Sequence, residues 1–544
     1  MEHTNKKITL ITAVLVAALC VRVIYLFIIS KYPNFRIYYA GLDAELYHLL
    51  AKRVASGDLL LGKDVYYYSP FYAYLLGALY AIFNPGTWAP RVMNIGFGVA
   101  TVYFVYLYSS LYMQSKKAGY IAALCAALYG PFLVFDTSPM KTSSGLFFMA
   151  VSIYLQGRSF NSRNKSIWFV TGLFTGLALI NFGHFSIFVI LMCILLLLDF
   201  KGYFLSGDNR EKFSYKNRLF FIKLLMTGLL LTVIPFTIRN YIVSGDKVLT
   251  ACTSGIHLFI GNHKGAWGGY NRIQEIRPNP AGHYFDACAL AREVTGRDLK
   301  ASEVSAFWKE QAVQYIKANP YDFIKLCLER IFLSIHPYEI DNNENYQYLV
   351  GLSPYLSVFI RFGILMPLGI TGMILGFSGF KRLFPLYLFF FSYLLSLSVS
   401  FVSWRYRIPL TLVLFPFTGL TITRIIQLFR SKNIFKASVG IAVCLCLFIV
   451  PFIFPMNSKT VRAGLKRAES KMLTCGIEYD LLSRLNDRSS IKEDRTGIWI
   501  RLSRIRKKNN DTEGAVRYLN NALKELPDHP IILRELKLYH MPRE

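Results

Sequence analysis

The chain has 544 residues, of which 53% are hydrophobic and only 17% are charged, and its mean hydropathy is +0.35. An ordinary soluble domain carries about 25% charged residues, so the composition excludes a soluble enzyme, a disordered chain and a disulfide-rich secreted module. It indicates an integral membrane protein. The net charge of +28 would by itself favour a nucleic acid or an anionic surface as partner, and its distribution decides between them.

Apolar runs occur along most of the chain. The longer runs cover about 8–30, 91–113, 118–135, 139–156, 167–182, 184–199, 219–238, 355–377, 384–403, 406–423 and 437–455, and a shorter run covers about 70–83. They lack the period-two alternation of a membrane barrel, and a helix of roughly 20 residues satisfies its own backbone in lipid. The sequence therefore predicts a mainly α polytopic helical bundle of about 11–13 spans.

The positive charge lies mainly in short loops. The candidate cytoplasmic segments 1–7, 114–117, 157–166, 200–218, 379–383 and 424–436 together hold 18 Lys/Arg and 3 Asp/Glu, whereas the loop 239–353 holds 12 of each. Short positive loops stay in the cytoplasm, which predicts a multi-pass protein of the cytoplasmic (inner) membrane with a cytoplasmic N-terminus. The large loop and the tail then lie outside, 70–83 is short, tilted or re-entrant, and the charge gives no reason to expect a nucleic acid.

Four segments follow from this map. Residues 1–238 form an N-terminal membrane module with a first outer loop at 31–69, and residues 239–353 form a large outer loop. Membrane helices follow at 354–455, and a small helical tail occupies 456–544.

The first outer loop contains an amphipathic helix that begins at Asp43. Leu46, Leu49, Leu50 and Val54 recur at helical spacing, which predicts a helix lying on the membrane surface. A carboxylate at a helix start is favoured by the helix dipole. Asp43 is thus either a functional acid or a simple N-cap.

Two arginines flank the end of a later span, in Ser403-Trp-Arg405-Tyr-Arg407-Ile-Pro409. Positive residues on the outer side oppose the topological bias, and arginine binds phosphate in a bidentate manner. Arg405 and Arg407 are therefore candidate ligands of a lipid phosphate, and the alternative is ordinary contact with lipid headgroups.

Two further outer features accompany them. Asp136 and Lys141 lie at a junction between apolar runs, where an intramembrane charge suggests function and an Asp136–Lys141 ion pair is the structural alternative. A glycine-rich stretch at 252–270 includes Asn262 and His263 and permits close approach to a ligand.

The tail fits one tetratricopeptide repeat over 496–529. The matching positions are Trp499, Leu502, Ala515, Leu519, Ala522 and Pro527. Ser503 replaces the usual glycine and Arg506 the usual tyrosine. The repeat is either a structural cap or a docking site for a protein partner.

These motifs resemble the polytopic glycosyltransferases of the GT-C fold that use lipid-linked sugars, in particular the dolichyl-phosphate-mannose protein O-mannosyltransferase-like group (glycosyltransferase family 39), which includes the bacterial aminoarabinose transferase of lipid A. The resemblance spans roughly 8–425 and is strongest in bacterial relatives with tetratricopeptide repeats after the last span. The segments that carry it are Asp43-Ala-Glu45 with Tyr47, Ser69-Pro-Phe-Tyr72, Arg91, Tyr129-Gly-Pro-Phe132 to Asp136 and Lys141, and Arg405-Tyr-Arg407-Ile-Pro409.

The resemblance implies inverting transfer of a sugar from a polyprenyl phosphate to an acceptor hydroxyl on a protein, glycolipid or polymer. Asp43 is then the catalytic base, with Glu45 or Asp136 as helper. The predicted binding residues for the substrate and the lipid phosphate are Arg91, Lys141, Arg405, Arg407, Tyr47, Asn262 and His263. No cofactor is required, although two carboxylates beside a phosphate leave a divalent metal as an option.

Two other classes of protein remain open. A flippase or transporter of lipid-linked sugars is the second hypothesis, although the sequence halves show no internal repeat of the kind many transporters have. A membrane scaffold that docks partners through its tail is the third. The sugar, the acceptor and the lipid chain are not specified by any motif.

Overall fold

A computed structural model describes most of the chain. The described residues are 2–36, 38, 42–160, 162, 164–198, 215–453, 456, 458–486, 492–509, 511–525, 527 and 530–540. Within these ranges the chain is mainly α-helical and forms no strand, and parallel bridges join Tyr129 to Ile360 and Gly269 to Val402. The predicted mainly α polytopic class is confirmed. Most of the predicted basic loop 200–218 lies outside the described residues.

The N-terminal module consists of helices α1 to α11. Their bounds are α1 Glu2–Ile29, α2 Pro33–Arg36, α3 Asp43–Ala55, α4 Phe71–Ile82, α5 Ala89–Met113, α6 Lys116–Ala127, α7 Gly130–Asp136, α8 Thr142–Ser159, α9 Lys165–Asn181, α10 Ser186–Leu198 and α11 Tyr215–Ser244. A 3₁₀ turn at Gly183–Phe185 joins α9 to α10.

The rest of the described chain adds helices α12 to α25. The large loop contains α12 Ser254–Gly261, α13 Ala287–Thr295, α14 Ala301–Ala318, α15 Pro320–Ile335 and α16 Tyr346–Leu352. The later membrane helices are α17 Phe362–Gly376, α18 Phe380–Val399, the one-turn α19 Trp404–Arg407, α20 Thr411–Arg430 and α21 Ile434–Ile453. The tail contains α22 Ser458–Asn486, α23 Lys492–Lys508, α24 Thr512–Glu525 and α25 Pro530–His540.

Several helical stretches are long and apolar enough to cross a membrane. Within the described residues they are Leu10–Ile29, Ala89–Met113, Lys216–Ser244, Phe362–Val399 and Trp404–Arg430. Shorter apolar helices occur at Phe71–Ile82, Lys165–Asn181, Gly183–Leu198 and Ile434–Ile449. Many large apolar side chains on these helices remain exposed in the isolated chain, as expected for surfaces that contact lipid.

The predicted run 118–135 is two helices rather than one. Helix α6 ends at Ala127, and α7 begins at Gly130 with Pro131 in its first turn, where a missing amide proton is tolerated. The freed backbone is satisfied from a distant segment, because Gly130 donates to the Ile360 carbonyl and Ile360 donates to the Leu128 carbonyl, both at 2.9 Å. A composition window cannot detect this break.

The short run at 70–83 forms α4, which has 12 residues. A helix of that length covers about 18 Å, against a hydrocarbon core of about 30 Å, so the expectation of a short element is confirmed. Helix α4 packs along α3, and Gly77 allows the close approach, because a Cβ at this position would collide with the Val54 side chain. Helices α3 and α4 thus form one layer beside the start of α5.

Candidate active site

Two distant segments meet at a buried ion pair between Asp43 and Arg405. Asp43 is the first residue of α3, and Arg405 belongs to α19, whose start is capped by Ser403. Arg405 donates through Nη1 to Asp43 Oδ2 at 2.5 Å, and both side chains are about nine-tenths buried. The N-cap of α3 is Leu42, so the N-cap alternative for Asp43 is wrong; its carboxylate contacts a residue 362 positions away.

The surrounding groups set the charge state of Asp43. Burial alone would raise the pKa of this carboxyl, but the Arg405 guanidinium, a hydrogen bond from Asn343 and the charge of Lys141 together hold the pKa below its ordinary value. Asp43 is therefore ionised at neutral pH.

A cavity of about 360 Å³ opens beside this pair. We call it the Asp43 cavity. Its polar lining includes Asp43, Tyr47, Tyr68, Ser69, Lys141, Asn181, His184, Thr253, Ser254, His257, Ser396, Arg405 and Tyr406. These residues come from the first loop, the α7–α8 and α9–α10 junctions, the large loop and the α18–α19 region. The cavity therefore lies where the ends of several helices converge.

The charges around the Asp43 cavity favour an anion. Lys141 and Arg405 are its basic side chains, and Asp43 is the one carboxylate among the described lining residues. Burial and the nearby Arg405 lower the pKa of Lys141 to about 7, and a bound anion would favour its charged form. The Arg405 Nε has no hydrogen-bond partner among the described residues. Burial lowers the pKa of His257 to about 3, so this histidine is neutral at pH 7 and available as a hydrogen-bonding group.

A second cavity, of about 140 Å³, lies near the opposite side of the start of α3. We call it the tail-side cavity, because α22 of the tail forms one wall with Arg467, Lys471 and Cys475. Arg91 lies here rather than in the Asp43 cavity, and its guanidinium stacks over the Phe35 ring at 4.2 Å. The structure thus separates Arg91 from Lys141 and Arg405, which the sequence grouped together.

Arg407 does not join Arg405 at the cavity. It is buried, donates to Glu339 Oε2 at 2.6 Å and to the His336 carbonyl, and stacks over the Phe362 ring. Residues two apart on a helix point to different sides, so a single turn cannot direct both arginines to one phosphate. The predicted arginine pair is therefore split into one cavity residue and one residue that holds the 333–339 segment.

The same geometry separates Glu45 from Asp43. Glu45 lies two residues further along α3 and faces the tail, where Arg506 donates to its Oε1 at 2.5 Å. Asp43 and Glu45 therefore do not converge on the Asp43 cavity. Among the described residues, no group of three or more His, Cys, Asp and Glu side chains is placed to hold a metal ion.

Asp136 pairs with Arg22 rather than Lys141. Arg22 Nε donates to Asp136 Oδ2 at 2.7 Å, and Ser143 donates to the other carboxylate oxygen at 2.6 Å. The Asp136–Lys141 pair considered from the sequence is therefore wrong. Arg22 lies within the first apolar run and is fully buried, so Asp136 is the counter-charge that it needs inside the bundle.

Of the remaining predicted site residues, one lines the Asp43 cavity and two lie outside it. Tyr47 lies one helical turn after Asp43, lines the same cavity and packs edge-on against Tyr72. Asn262 is buried and accepts a hydrogen bond from Arg330 at 3.1 Å, and His263 contacts Asn271 at 3.2 Å. Asn262 and His263 lie outside the lining of both cavities.

Several lining residues were not predicted from the sequence. His257 lies within the glycine-rich stretch of the large loop, and His184 follows Asn181 at the break between α9 and α10, where its Nδ1 lies 2.8 Å from Ser396 Oγ. The short Asn181-Phe-Gly-His184 interruption of two apolar runs is a readable signal, since polar residues at a helix break near the membrane are often functional.

One comparison with known proteins agrees with the resemblance found in the sequence. The pattern of the dolichyl-phosphate-mannose-protein mannosyltransferase family matches residues 68–238, so the similarity is confirmed for this segment, which contains Lys141 but neither Asp43 nor Arg405. Among solved structures, the archaeal oligosaccharyltransferase AglB from Archaeoglobus fulgidus, in complex with an inhibitory peptide and a dolichol-phosphate, has 14% sequence identity and a TM-score of 0.43 over 85% of this chain and 56% of that chain. The present chain thus spans little more than half of that protein. No curated protein sequence matches this chain.

Proposed function

We propose that the protein is a membrane glycosyltransferase that moves a sugar from a polyprenyl-phosphate donor to an acceptor hydroxyl at the outer membrane face, with inversion. The observation that carries this proposal is the Asp43 cavity, in which one ionised carboxylate faces the basic side chains Lys141 and Arg405. The family match over 68–238 supports the donor class. The orientation follows from the charge of the short loops.

The proposed reaction uses these groups in distinct roles. The acceptor oxygen attacks the anomeric carbon as the bond between that carbon and the phosphate oxygen breaks, and the hydroxyl proton passes to Asp43. The donor phosphodiester carries one negative charge, and the departing polyprenyl phosphate gains a second. Arg405 and Lys141 stabilise this developing charge.

The Asp43–Arg405 ion pair adjusts when the polyprenyl-phosphate sugar binds. In the structure Asp43 accepts a hydrogen bond from Arg405 Nη1, and a phosphate bound to this guanidinium would compete for that donor. Transfer of Arg405 towards the phosphate weakens its hold on Asp43, which raises the basicity of the carboxylate when the acceptor proton must be taken.

The pH dependence of kcat/KM provides one test. Because kcat/KM reports ionisations of the free enzyme, its acid limb is expected below about pH 4, the ordinary range of an aspartate, since Arg405 lowers the Asp43 pKa. In Arg405→Gln, burial still raises this pKa and the main opposing cation is lost, so the acid limb should move to higher pH. An identical acid limb in both proteins would show that Asp43 is not the titrating base.

Binding of the lipid phosphate tests the anion site separately from catalysis. Purified protein in nanodiscs is titrated with fluorescent undecaprenyl phosphate, and Lys141→Gln is expected to raise the Kd about tenfold, in the range of a charge-assisted hydrogen bond. Lys52→Gln, on the exposed side of α3, is the matched control and should bind as the wild type does. Equal affinity in all three proteins would place the phosphate elsewhere.

A further inference from the structure

The tail contacts the helix that carries Asp43. Arg506 of α23 donates through Nη1 to Glu45 Oε1 at 2.5 Å, and Arg517 of α24 approaches the same oxygen at 3.5 Å. Glu45 is two residues from Asp43 on α3, so the two carboxylates point to different sides of this helix. One side of α3 faces the Asp43 cavity and the other faces the tail.

Arg506 is the centre of a buried charge cluster. In addition to Glu45, it donates through Nε to Glu478 at 2.6 Å and through Nη1 to Asp511 at 3.0 Å. Tyr518 donates to the same Glu478 oxygen at 2.9 Å. Arg506 and Glu478 are almost fully buried, and Glu45 is about nine-tenths buried. The cluster therefore joins three tail helices to α3.

The burial of this cluster makes the contact specific. Arg506 is the cation that Glu45 and Glu478 share, and removing one partner from a buried charge cluster is strongly unfavourable. Arg506 is also one of two positions at which the tail departs from the tetratricopeptide pattern, which has a tyrosine there. A tyrosine at this position would bring no positive charge to the two carboxylates.

A second contact fixes the tail on the other side of the site. On α22, Lys471 donates to the Asn343 carbonyl at 3.0 Å, and Arg467 donates to Asp341 at 2.8 Å. The 341–345 segment and α22 together line the tail-side cavity, which also reaches Leu42 and Ala44 on either side of Asp43. The tail therefore touches α3 and the segment beside it.

We propose that Arg506 is a positioning residue that holds α3, and with it Asp43, in the place required for sugar transfer. The tail is then a fixed part of the catalytic face rather than a detached docking module. This inference rests on the proposed function, because Asp43 is the group that is positioned.

The test compares Arg506→Ala with Arg504→Ala. Arg504 lies on the same helix, but its partner is Glu535 within the tail, so it is a matched control. Arg506→Ala is expected to lower kcat about tenfold to a hundredfold, as for a misplaced catalytic group, with the Kd for undecaprenyl phosphate unchanged. Hydrogen exchange at the α3 amides should become faster in this variant, and Arg504→Ala should leave both kcat and exchange unchanged.

A double-mutant cycle with Glu45→Gln tests the contact itself. If the two residues act together, Glu45→Gln lowers kcat to a similar extent, and the double variant is little worse than either single variant. If Arg506→Ala does not fold, the kcat of Glu45→Gln alone tests the Arg506–Glu45 contact. An unchanged kcat in Glu45→Gln, or fully additive losses in the cycle, would overturn the proposal.

The hydrogen-exchange result separates this inference from the proposed function. Faster exchange in α3 with no transferase activity in any protein would mean that the docking is correct and the proposed reaction is wrong. A different result would mean that the proposed reaction is correct and that Arg506 does not position Asp43. In that case the wild type is active, Asp43→Asn is inactive, and Arg506→Ala keeps the kcat and the α3 exchange of the wild type.

Discussion

Replacing Asp43 by asparagine is expected to lower the rate of sugar transfer by a factor of about 10² to 10⁴, the usual contribution of a general base. The amide has nearly the same shape and can still accept a hydrogen bond from Arg405, but it cannot take the acceptor proton. The loss should therefore appear in kcat, while the Kd for undecaprenyl phosphate stays the same or decreases, because Arg405 is released from its carboxylate. The rate is measured as sugar transferred by purified protein in nanodiscs.

The control for this variant is Asp58→Asn. Asp58 lies in the same loop and also pairs with an arginine, Arg53, but this pair is exposed, and exposed pairs contribute little. Activity close to that of the wild type is expected. If Asp43→Asn were as active as Asp58→Asn, Asp43 would not be the base.

Replacing Arg405 by glutamine is expected to lower the catalytic rate, whereas the same replacement of Arg407 is expected to lower the stability. Arg405→Gln removes a donor to the developing phosphate charge, and the loss of one such group costs about 10²–10³ in kcat, or about 2.7–4 kcal/mol. The folded protein should persist, because Asp43 borders a cavity that water can enter. The quantities to measure are kcat and the thermal midpoint of unfolding.

Arg407→Gln leaves the buried Glu339 carboxylate without its counter-charge. Breaking a buried pair in this way costs about 3–5 kcal/mol of stability, so the expected result is a lower unfolding midpoint and a lower yield of folded protein. The activity per folded molecule should be much closer to wild type than that of Arg405→Gln. A stable but inactive Arg407→Gln protein would contradict the conclusion that Arg405 serves the Asp43 cavity and Arg407 holds the 333–339 segment.

The helical architecture could be predicted because it depends on local composition. Apolar runs predicted helices near the observed positions, and the start of α3 at Asp43 agrees with the amphipathic pattern. Hydropathy did not locate the break between α6 and α7, although Gly130-Pro131 is a typical break signal; the backbone groups freed there are satisfied by Ile360, more than 200 positions away. Hydropathy contains no information about that partner.

The candidate site was predicted in part. Asp43, Lys141, Arg405 and Tyr47 meet at one cavity, but Glu45 and Arg407 do not, although each is only two residues from a member of the site. Sequence proximity suggested a shared role, whereas helical geometry directs side chains two positions apart to different surroundings. The helical spacing rule could have been applied to the sequence alone. The surfaces that face each side of the helix could not be identified from it.

The partner choices of the buried charges depend on long-range packing. Arg22 and Asp136 are separated by 114 positions, and Glu45 and Arg506 by 461. Arg506 was visible in the sequence only as a departure from the tetratricopeptide pattern. The helix pair α23 and α24 agrees with the predicted repeat, while membership of the repeat family and binding of a protein partner remain predictions.

Turnover of a lipid-linked sugar by the purified full-length protein tests the central claim most directly. Undecaprenyl-phosphate mannose and undecaprenyl-phosphate aminoarabinose, each labelled in the sugar, are supplied in nanodiscs with glycolipids and proteins extracted from the source membranes. The proposal predicts label in an acceptor fraction and an equal amount of free undecaprenyl phosphate with at least one donor, both abolished in Asp43→Asn. Two results would contradict a glycosyltransferase. Folded wild-type protein could leave both sugar donors intact, or it could move them across a sealed bilayer without removing their sugar.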